Sequence, residues 1–432
     1  MLILSAELGL QSAQADITAA FVHATLAEDE CIYVRQPRGF VGDPAYCYTL
    51  KHALYGLLQA PCYFFEYLKK RIELCGAKQV HLDPCLFIRP NIIAITYVND
   101  LLIYSKDDKH IKGFFNGMKN EKVDLRKEGM AEGFLGVDIQ HDNKPQTITL
   151  TQSGLTQRVI TALGLCSSNS VKCDTPTETA ALPKDADGAA ASGMIGYPCV
   201  VRMLLYLSGH SRPDISFAVH QCSRYTFQPK LKKHEIALKR IGLYLKGTAD
   251  KGLIIKPANN MGIECYPDAD FAGLWGHENP HNPHCAHSRT GFVICVAEWP
   301  VVVWISKLQT EITLSTMEAE YVAMSMACKT LFPIVNMLVR DLGEKLGLEV
   351  DDKTVKIHED NVGVLTLGKL EPRRMTPRSK HCAIKYHWFH EKIGPRRIRL
   401  QKINTKQQLG DIFTKGLGPI MFRQMREKLM GW

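Results

Sequence analysis

The run from Ile92 to Tyr104, IIAITYVNDLLIY, constrains this chain more than any other stretch. Two apolar segments rich in β-branched and aromatic residues flank Asn99 and Asp100. Such segments read as strands, and an Asn-Asp pair between them predicts a tight hairpin turn. A carboxylate at that tip sits beside a sheet and can still face a substrate. The same residues also suit an ordinary hairpin with a solvated turn.

A second segment, Gln14 to Phe21 (QADITAAF), places one acid, Asp16, among small and apolar residues. An acid in that setting is either exposed at a strand end or kept for chemistry. Two carboxylates from separate strands that converge on one face can hold a pair of Mg²⁺ ions. Hard cations take oxygen ligands, and two ions about 4 Å apart clamp the attacking and leaving oxygens of a phosphoryl transfer.

These segments resemble the reverse transcriptase of Copia-type LTR retrotransposons. QADITAAFVHATLAEDECIYVRQPRGF resembles the first catalytic block, LKHALYGLLQAPCYFFEYL the nucleotide-pocket block, LDPCLFI the run before the catalytic hairpin and FLGVDI the primer-grip turn. The likeness continues through YLSGHSRPDISFAVHQCSRY and YLKGTADKGL into YPDADFAG, LSTMEAEY, HEDN and QLGDIFTKGL, which resemble an RNase H domain.

The resemblance implies an α+β reverse transcriptase palm and thumb with truncated fingers over residues 1–165 and a linker at 166–193. A helical connection at 194–259, an RNase H-like α/β domain at 260–418 and a basic tail at 419–432 follow. In the first part it makes Asp16, Asn99 and Asp100 the catalytic set, with Asp16 and Asp100 as metal ligands. Phe21, Tyr55 and Gly56 become the nucleotide pocket, and Phe134, Leu135 and Gly136 the primer grip. In the second part it makes Asp268, Glu318, Asp360 and Asp411 the metal-binding carboxylates, with Glu320 and Asp270 as alternatives to Glu318 and Asp268. Two-metal Mg²⁺ sites, dNTPs, an RNA template, a DNA primer and RNA–DNA hybrid are the implied cofactors and partners, beside other Pol and Gag products of such an element. The implied location is the cytoplasm, within virus-like particles, and the nucleus.

Three departures matter. The family carries Tyr-Val-Asp-Asp where this chain has Tyr97-Val98-Asn99-Asp100, so one charge is lost at the hairpin. Leu58 and Cys62 stand where the family usually has Lys and Arg. The chain begins fifteen residues before Asp16, too close for the family's fingers. The expectation is a crippled polymerase beside an intact RNase H site.

Composition supports a nucleic-acid partner only locally. From Lys369 to Trp432 sixteen Lys or Arg face four Asp or Glu, a balance of +12; with +9 for the whole chain, the remainder is near −3. A basic segment suits a polyanion, or is merely a solvated face. Fourteen Cys occur without a CxxC pair, against zinc ribbons and for reduced thiols. No apolar run reaches the roughly 20 residues of a membrane span, and the N-terminus lacks the pattern of a signal peptide.

Local patterns add detail. Residues 63–74 read as an amphipathic helix. Residues 166–193 lose all periodicity and are rich in Ser, Thr, Ala, Asp and Pro, so the joint between two lobes is expected there. Ile263 to Ala272 reads as a sheet edge. Ser315 and Glu318 form a capping box, a purely structural role for Glu318. Pro333 should kink or end that helix. Residues 276–287 hold four His and one Cys, but their spacing matches no standard zinc pattern. Three functions remain open: an active reverse transcriptase and RNase H, a co-opted module that binds hybrid without cutting it, and an inert remnant.

Overall fold

The computed structural model describes residues 1–39, 42–43, 45–142, 147–167, 171–256, 262–297, 301–343, 355–369 and 398–432. Residues 370–397, with eight of the sixteen Lys or Arg of the basic segment, lie outside the described residues. The protein is mixed α and β and divides into two compact units. One holds Leu8–Ala131; the other holds Met1–Glu7, Glu132–Gly343 and the described residues after 354.

The first unit is built on an antiparallel sheet of six strands. These are β1 (Gln11–Ile17), β4 (Lys78–Gln79), β5 (Leu86–Arg89), β6 (Ile92–Tyr97), β7 (Asp100–Ser105) and β8 (Leu125–Gly129). Their order is β4-β5-β6-β7-β1-β8, and a separate pair, β2 (Tyr33–Arg35) and β3 (Cys47–Thr49), lies outside it. The helix Ala60–Leu74 starts with Pro61 in its first turn and buries Ala60, Phe64, Leu68 and Ile72, a stripe one turn apart. That stripe packs with Ala15, Ile17, Leu101, Ile103 and Phe114 into one core.

The second unit contains two sheets. A four-stranded one runs β12-β11-β10-β9, where β9 is Gly133–Phe134, β10 Val137–Asp142, β11 Thr147–Thr151 and β12 Leu253–Ile255. A five-stranded one runs β15-β14-β13-β16-β17, where β13 is Ile263–Asp270, β14 Arg289–Val296, β15 Val301–Leu308, β16 Val355–Glu359 and β17 Arg399–Lys402. β13 pairs antiparallel with β14 but parallel with β16, and β16 pairs parallel with β17. The long helix Thr316–Asn336 passes through Pro333 without ending there.

Five expectations are corrected. The hairpin turn is Val98-Asn99, because Tyr97 pairs with Asp100, which already belongs to β7. β13 is the central strand of its sheet, since it gains a parallel neighbour from distant sequence. Contacts divide the chain at Ala131/Glu132, because β11 pairs with β12 and ties residues 137–151 to 253–255. The described residues of 166–193 form no helix or strand, yet they are pinned inside the second unit: Arg240 donates to Thr175 Oγ1 at 3.0 Å and Tyr225 to the Leu182 carbonyl at 2.8 Å. Finally, 419–432 is no tail. Helix Pro419–Met430 buries Phe422, Met425, Leu429 and Met430, and Trp432 Nε1 donates to the Gly252 carbonyl at 2.7 Å.

By the C-terminal ends of the helices Tyr197–His210 and Ile236–Gly247 lies a fully buried ion pair. Arg212 Nη2 meets Asp214 Oδ2 at 2.8 Å, with Arg212 only 1% exposed. Arg212 also donates to the Thr248 carbonyl and Oγ1 at 3.1 and 2.8 Å, and Tyr244 donates to Asp214 at 2.6 Å.

A second acid is stabilised on the β13–β16 pairing. Glu264 lies within 3.4 Å of His358 Nε2 and 3.2 Å of Lys356 Nζ, and accepts from Tyr266 at 2.7 Å. The His358 contact, followed by burial acting the other way and then the Tyr266 bond, holds its carboxyl down at about 2. Its folded value is therefore below its unfolded one, so its stabilisation is complete above the ordinary carboxylate range and is lost as pH falls toward 2. Glu264→Gln is expected to cost about 2 kcal/mol at pH 7, with the difference from the parent vanishing near pH 2 in denaturation curves.

Candidate active site

In the first unit, the backbone brings Asp16 and Asp100 opposite each other on β1 and β7. The tip of the hairpin is stitched down beside them. The Asn99 carbonyl accepts from Ile17 N at 2.8 Å, and Asn99 Nδ2 donates to Asp16 Oδ1. Val98 takes φ 54°, a left-handed conformation that is strained for a β-branched residue by about 1–3 kcal/mol. Burial, then the charges of Asp16 and Glu128, push the Asp100 carboxyl above its ordinary range. The three residues expected at this site thus meet. One oxygen of Asp16 is already engaged by an amide.

Beside them, Phe21 lies on a short 3-10 turn, Ala20–His23, with its ring 4.6 Å from Tyr55 and 5.9 Å from Phe64. It is therefore both part of the core margin and one wall of a half-open aromatic pair. Gly56 has φ +102° with open space around it, a conformation that side chains rarely adopt. Leu58 is 99% exposed, an apolar side chain at a position where a phosphate contact was sought. Phe134, Leu135 and Gly136 belong to the other unit. There Leu135 and Gly136 both have positive φ, the signature of a tight hairpin turn, and Tyr206 donates to the Leu135 carbonyl.

The second unit gathers a denser group. Asp268 on β13, Glu320 on the long helix and Asp360 after β16 offer carboxylate oxygens within 4.8 Å of one another. The glutamate that joins them is Glu320, not Glu318. Two positions along a helix are about 200° apart around its axis, so only one of the two can face the group. Glu318 is committed to the cap: its N–H donates to Ser315 Oγ at 3.1 Å and its carboxylate accepts from Leu314 N at 2.7 Å.

Asp411 reaches the group through Lys415, whose Nζ lies 2.8 Å from Asp411 Oδ1 and 3.9 Å from Asp268 Oδ2. Thr414 also donates to Asp268. The short helix Asp411–Thr414 can approach this closely because Gly410 and Gly291 carry no side chain. A Cβ on Gly410 would meet Asp268 Cβ at 2.6 Å, and one on Gly291 would meet Phe413 Cβ at 2.8 Å.

Electrostatics sets this group apart. Burial first, then Asp268 and neighbouring acids, pushes Glu320 up to about 10. Burial and then Asp268 lift Asp411 to about 7. Burial raises Asp268 as well. Burial disfavours the charge on Lys415, but Asp268 and Asp411 outweigh it and hold the ammonium protonated. Glu320 Oε2 is buried without a hydrogen-bond partner. Repelling oxygens with an unsatisfied lone pair fit a divalent cation. Asp270 is half-buried beside the group, raised by burial and lowered by Arg289.

Two participants were missed from the sequence. Glu359, next to Asp360, is buried and lifted to about 8 by burial, against the pull of the Asn361 N–H. Lys415 could have been found, since it lies one helical turn beyond Asp411. In the His-rich stretch, His287 Nδ1 pairs with the Gln309 carbonyl at 2.8 Å, and Cys285 is buried.

Residues 1–179 match the family described as reverse transcriptase (RNA-dependent DNA polymerase). The chain is 29% identical over 422 residues to the retrovirus-related Pol polyprotein from transposon RE2 of Arabidopsis thaliana, covering 96% of this chain and 27% of that protein. It is 28% identical over 428 residues to the Pol polyprotein from transposon TNT 1-94 of Nicotiana tabacum, covering 96% of this chain and 30% of the relative. Nearly the whole chain is thus similar to Copia-type retrotransposon Pol polyproteins. A transposon Ty5-1 protein of Saccharomyces cerevisiae is 29% identical over 321 residues, which cover 72% of this chain and 98% of that protein. The chain therefore spans under a third of the first two relatives. Among its described residues no helix is long and apolar enough to cross a membrane.

Proposed function

We propose that this chain is the reverse transcriptase and RNase H portion of its element, with a weakened polymerase and a competent nuclease. Its substrates are RNA template, DNA primer and RNA–DNA hybrid. The observation that carries the nuclease reading is the meeting of Asp268, Glu320 and Asp360 within 4.8 Å, with Asp411 beside them. These four would hold Mg²⁺, which when bound supplies a Lewis acid and an activated water for phosphodiester hydrolysis. Asp268 is kept in place by Thr414, and Asp411 by Lys415. Lys415 offsets part of the carboxylate charge and would guard the site's geometry between turnovers.

The polymerase reading rests on Asp16 and Asp100, which would hold Mg²⁺ across β1 and β7. Asn99 brings no charge and ties up one oxygen of Asp16. Losing one carboxylate at about 3 kcal/mol of transition-state stabilisation lowers the rate about a hundredfold. The test is to assay the purified chain with Mg²⁺ for hybrid cleavage and for primer extension. Hybrid cleavage with little extension is expected, and Asn99→Asp is expected to raise extension about a hundredfold. Robust extension by the unmodified chain overturns the polymerase reading. Salt-sensitive hybrid binding without cleavage would instead make the chain a binding module.

A further inference from the structure

A second recess in the same unit is lined by none of the Asp268 group. It is a cleft of about 560 Å³ lined by Lys184, Arg224, Phe227, Gln228, Lys230 and Asn282, among others. Phe227 stands at its mouth and is 98% exposed. The floor is rigid. Arg224 pairs with Glu278 at 3.2 Å, and the Tyr225 hydroxyl lies 2.9 Å from the same carboxylate and 2.8 Å from the Leu182 carbonyl, its one proton shared between them. Tyr225 is stacked on His234, ring centroids 3.9 Å apart at 5°, and His234 Nε2 pairs with the Pro183 carbonyl at 3.0 Å. Lys230 Nζ donates to the Gly188 carbonyl at 2.9 Å. These bonds hold an otherwise irregular segment, 182–190, as one wall of the cleft.

The lining chemistry is specific. Glu278 is neutralised by Arg224, so Lys184 and Lys230 leave the cleft positive. The carboxylate of Asp185 folds back against Gly188 on its own segment. An exposed aromatic face beside cations, with the Gln228 amide at hand, is a combination that holds one unpaired nucleotide: the base stacks, the phosphate meets ammonium groups, and the amide reaches the base edge.

We propose that this cleft binds a nucleotide of single-stranded nucleic acid, with its base stacked on Phe227 and its phosphate at Lys184 and Lys230. Bases paired and stacked inside a duplex have no free face for Phe227, so away from its ends a hybrid is a poor ligand and the site favours single strand. The site shares no residue with the Asp268 group and needs no metal.

The test uses the full chain in EDTA, with fluorescence anisotropy of a labelled oligo(U) strand and of a blunt RNA–DNA hybrid. Phe227→Ala is expected to weaken oligo(U) binding about tenfold, and Phe227→Trp to retain it. Lys184→Glu is expected to weaken it and flatten its salt dependence. Neither Phe227→Ala nor Lys184→Glu should change hybrid affinity. Because Phe227 is solvent-exposed, its replacement leaves the fold intact, which a matching melting temperature verifies. Unchanged oligo(U) affinity in Phe227→Ala overturns the proposal, as would be found if Phe227 served a protein partner. An equal loss on blunt hybrid overturns it too.

Discussion

Glu320→Gln is expected to reduce hybrid cleavage at least about a hundredfold, while Glu318→Ala leaves it within a few-fold. Both are glutamates in the first turns of one helix, so helix content alone predicts similar effects. The structure separates them by direction. Glu320 shares the pocket with Asp268 and Asp360, whereas Glu318 closes the cap with Leu314 and Ser315. Losing that cap should instead cost about 1 kcal/mol of stability.

The same substitution carries a second, opposite signature. Glu320 is lifted to about 10, so its folded value lies above its unfolded one. Its ionised form is therefore penalised in the metal-free fold at every pH above the ordinary carboxylate range, and the penalty disappears below it. Metal-free Glu320→Gln should melt higher than the parent at pH 8 and level with it near pH 4. Added Mg²⁺ should raise the parent's melting temperature more than the variant's. A variant that cleaves like the parent, or a Glu318→Ala chain that is inactive though folded, would remove Glu320 from the site.

The largest stability effect is expected at Asp214. Asp214→Ala should cost about 3–5 kcal/mol, because it leaves the Arg212 guanidinium buried without its counter-charge and strips Tyr244 of an acceptor. Replacing both members with apolar residues of similar volume should cost far less. All five Trp lie at or beyond position 275, within the second unit's sequence, so intrinsic fluorescence in urea follows that unit. The expected fall in midpoint is about 1 M or more. An unchanged midpoint would mean that water already reaches this pair.

Much of this architecture was legible in the residues, for identifiable reasons. Alternating β-branched segments around Val98 and Asn99 announce a hairpin, and the four-residue spacing of Phe64, Leu68 and Ile72 announces a packed helix. Long-range pairing was not legible. Nothing near Ile263 reveals that β16 will flank it, so a central strand reads as an edge. Residues 166–193 look like a linker because irregular chain and linker share a composition; only their bonds to Arg240, Tyr225 and His234 distinguish them. The Glu318 and Glu320 choice turns on helix phase. The capping box signals the helix start, but the partner strand decides which face looks inward. Glu359 was hidden by its neighbour Asp360, since adjacent residues of a strand end read alike until burial is known.

The pairing of β11 with β12 also has a meaning for how the chain is made. Leu8–Ala131 completes its sheet from its own strands and can close as soon as Ala131 leaves the ribosome. The second unit cannot. Its hairpin of β10 and β11 must wait for Leu253–Ile255, and the Gly252 carbonyl beside β12 is held by Trp432. At ordinary elongation rates of about 5–20 residues per second this leaves the β11 edge open for roughly ten seconds. An open strand edge templates association with other chains. Polypeptides ending anywhere between residues 152 and 252 should therefore accumulate as aggregates, whereas one ending near Ala131 should remain dispersed.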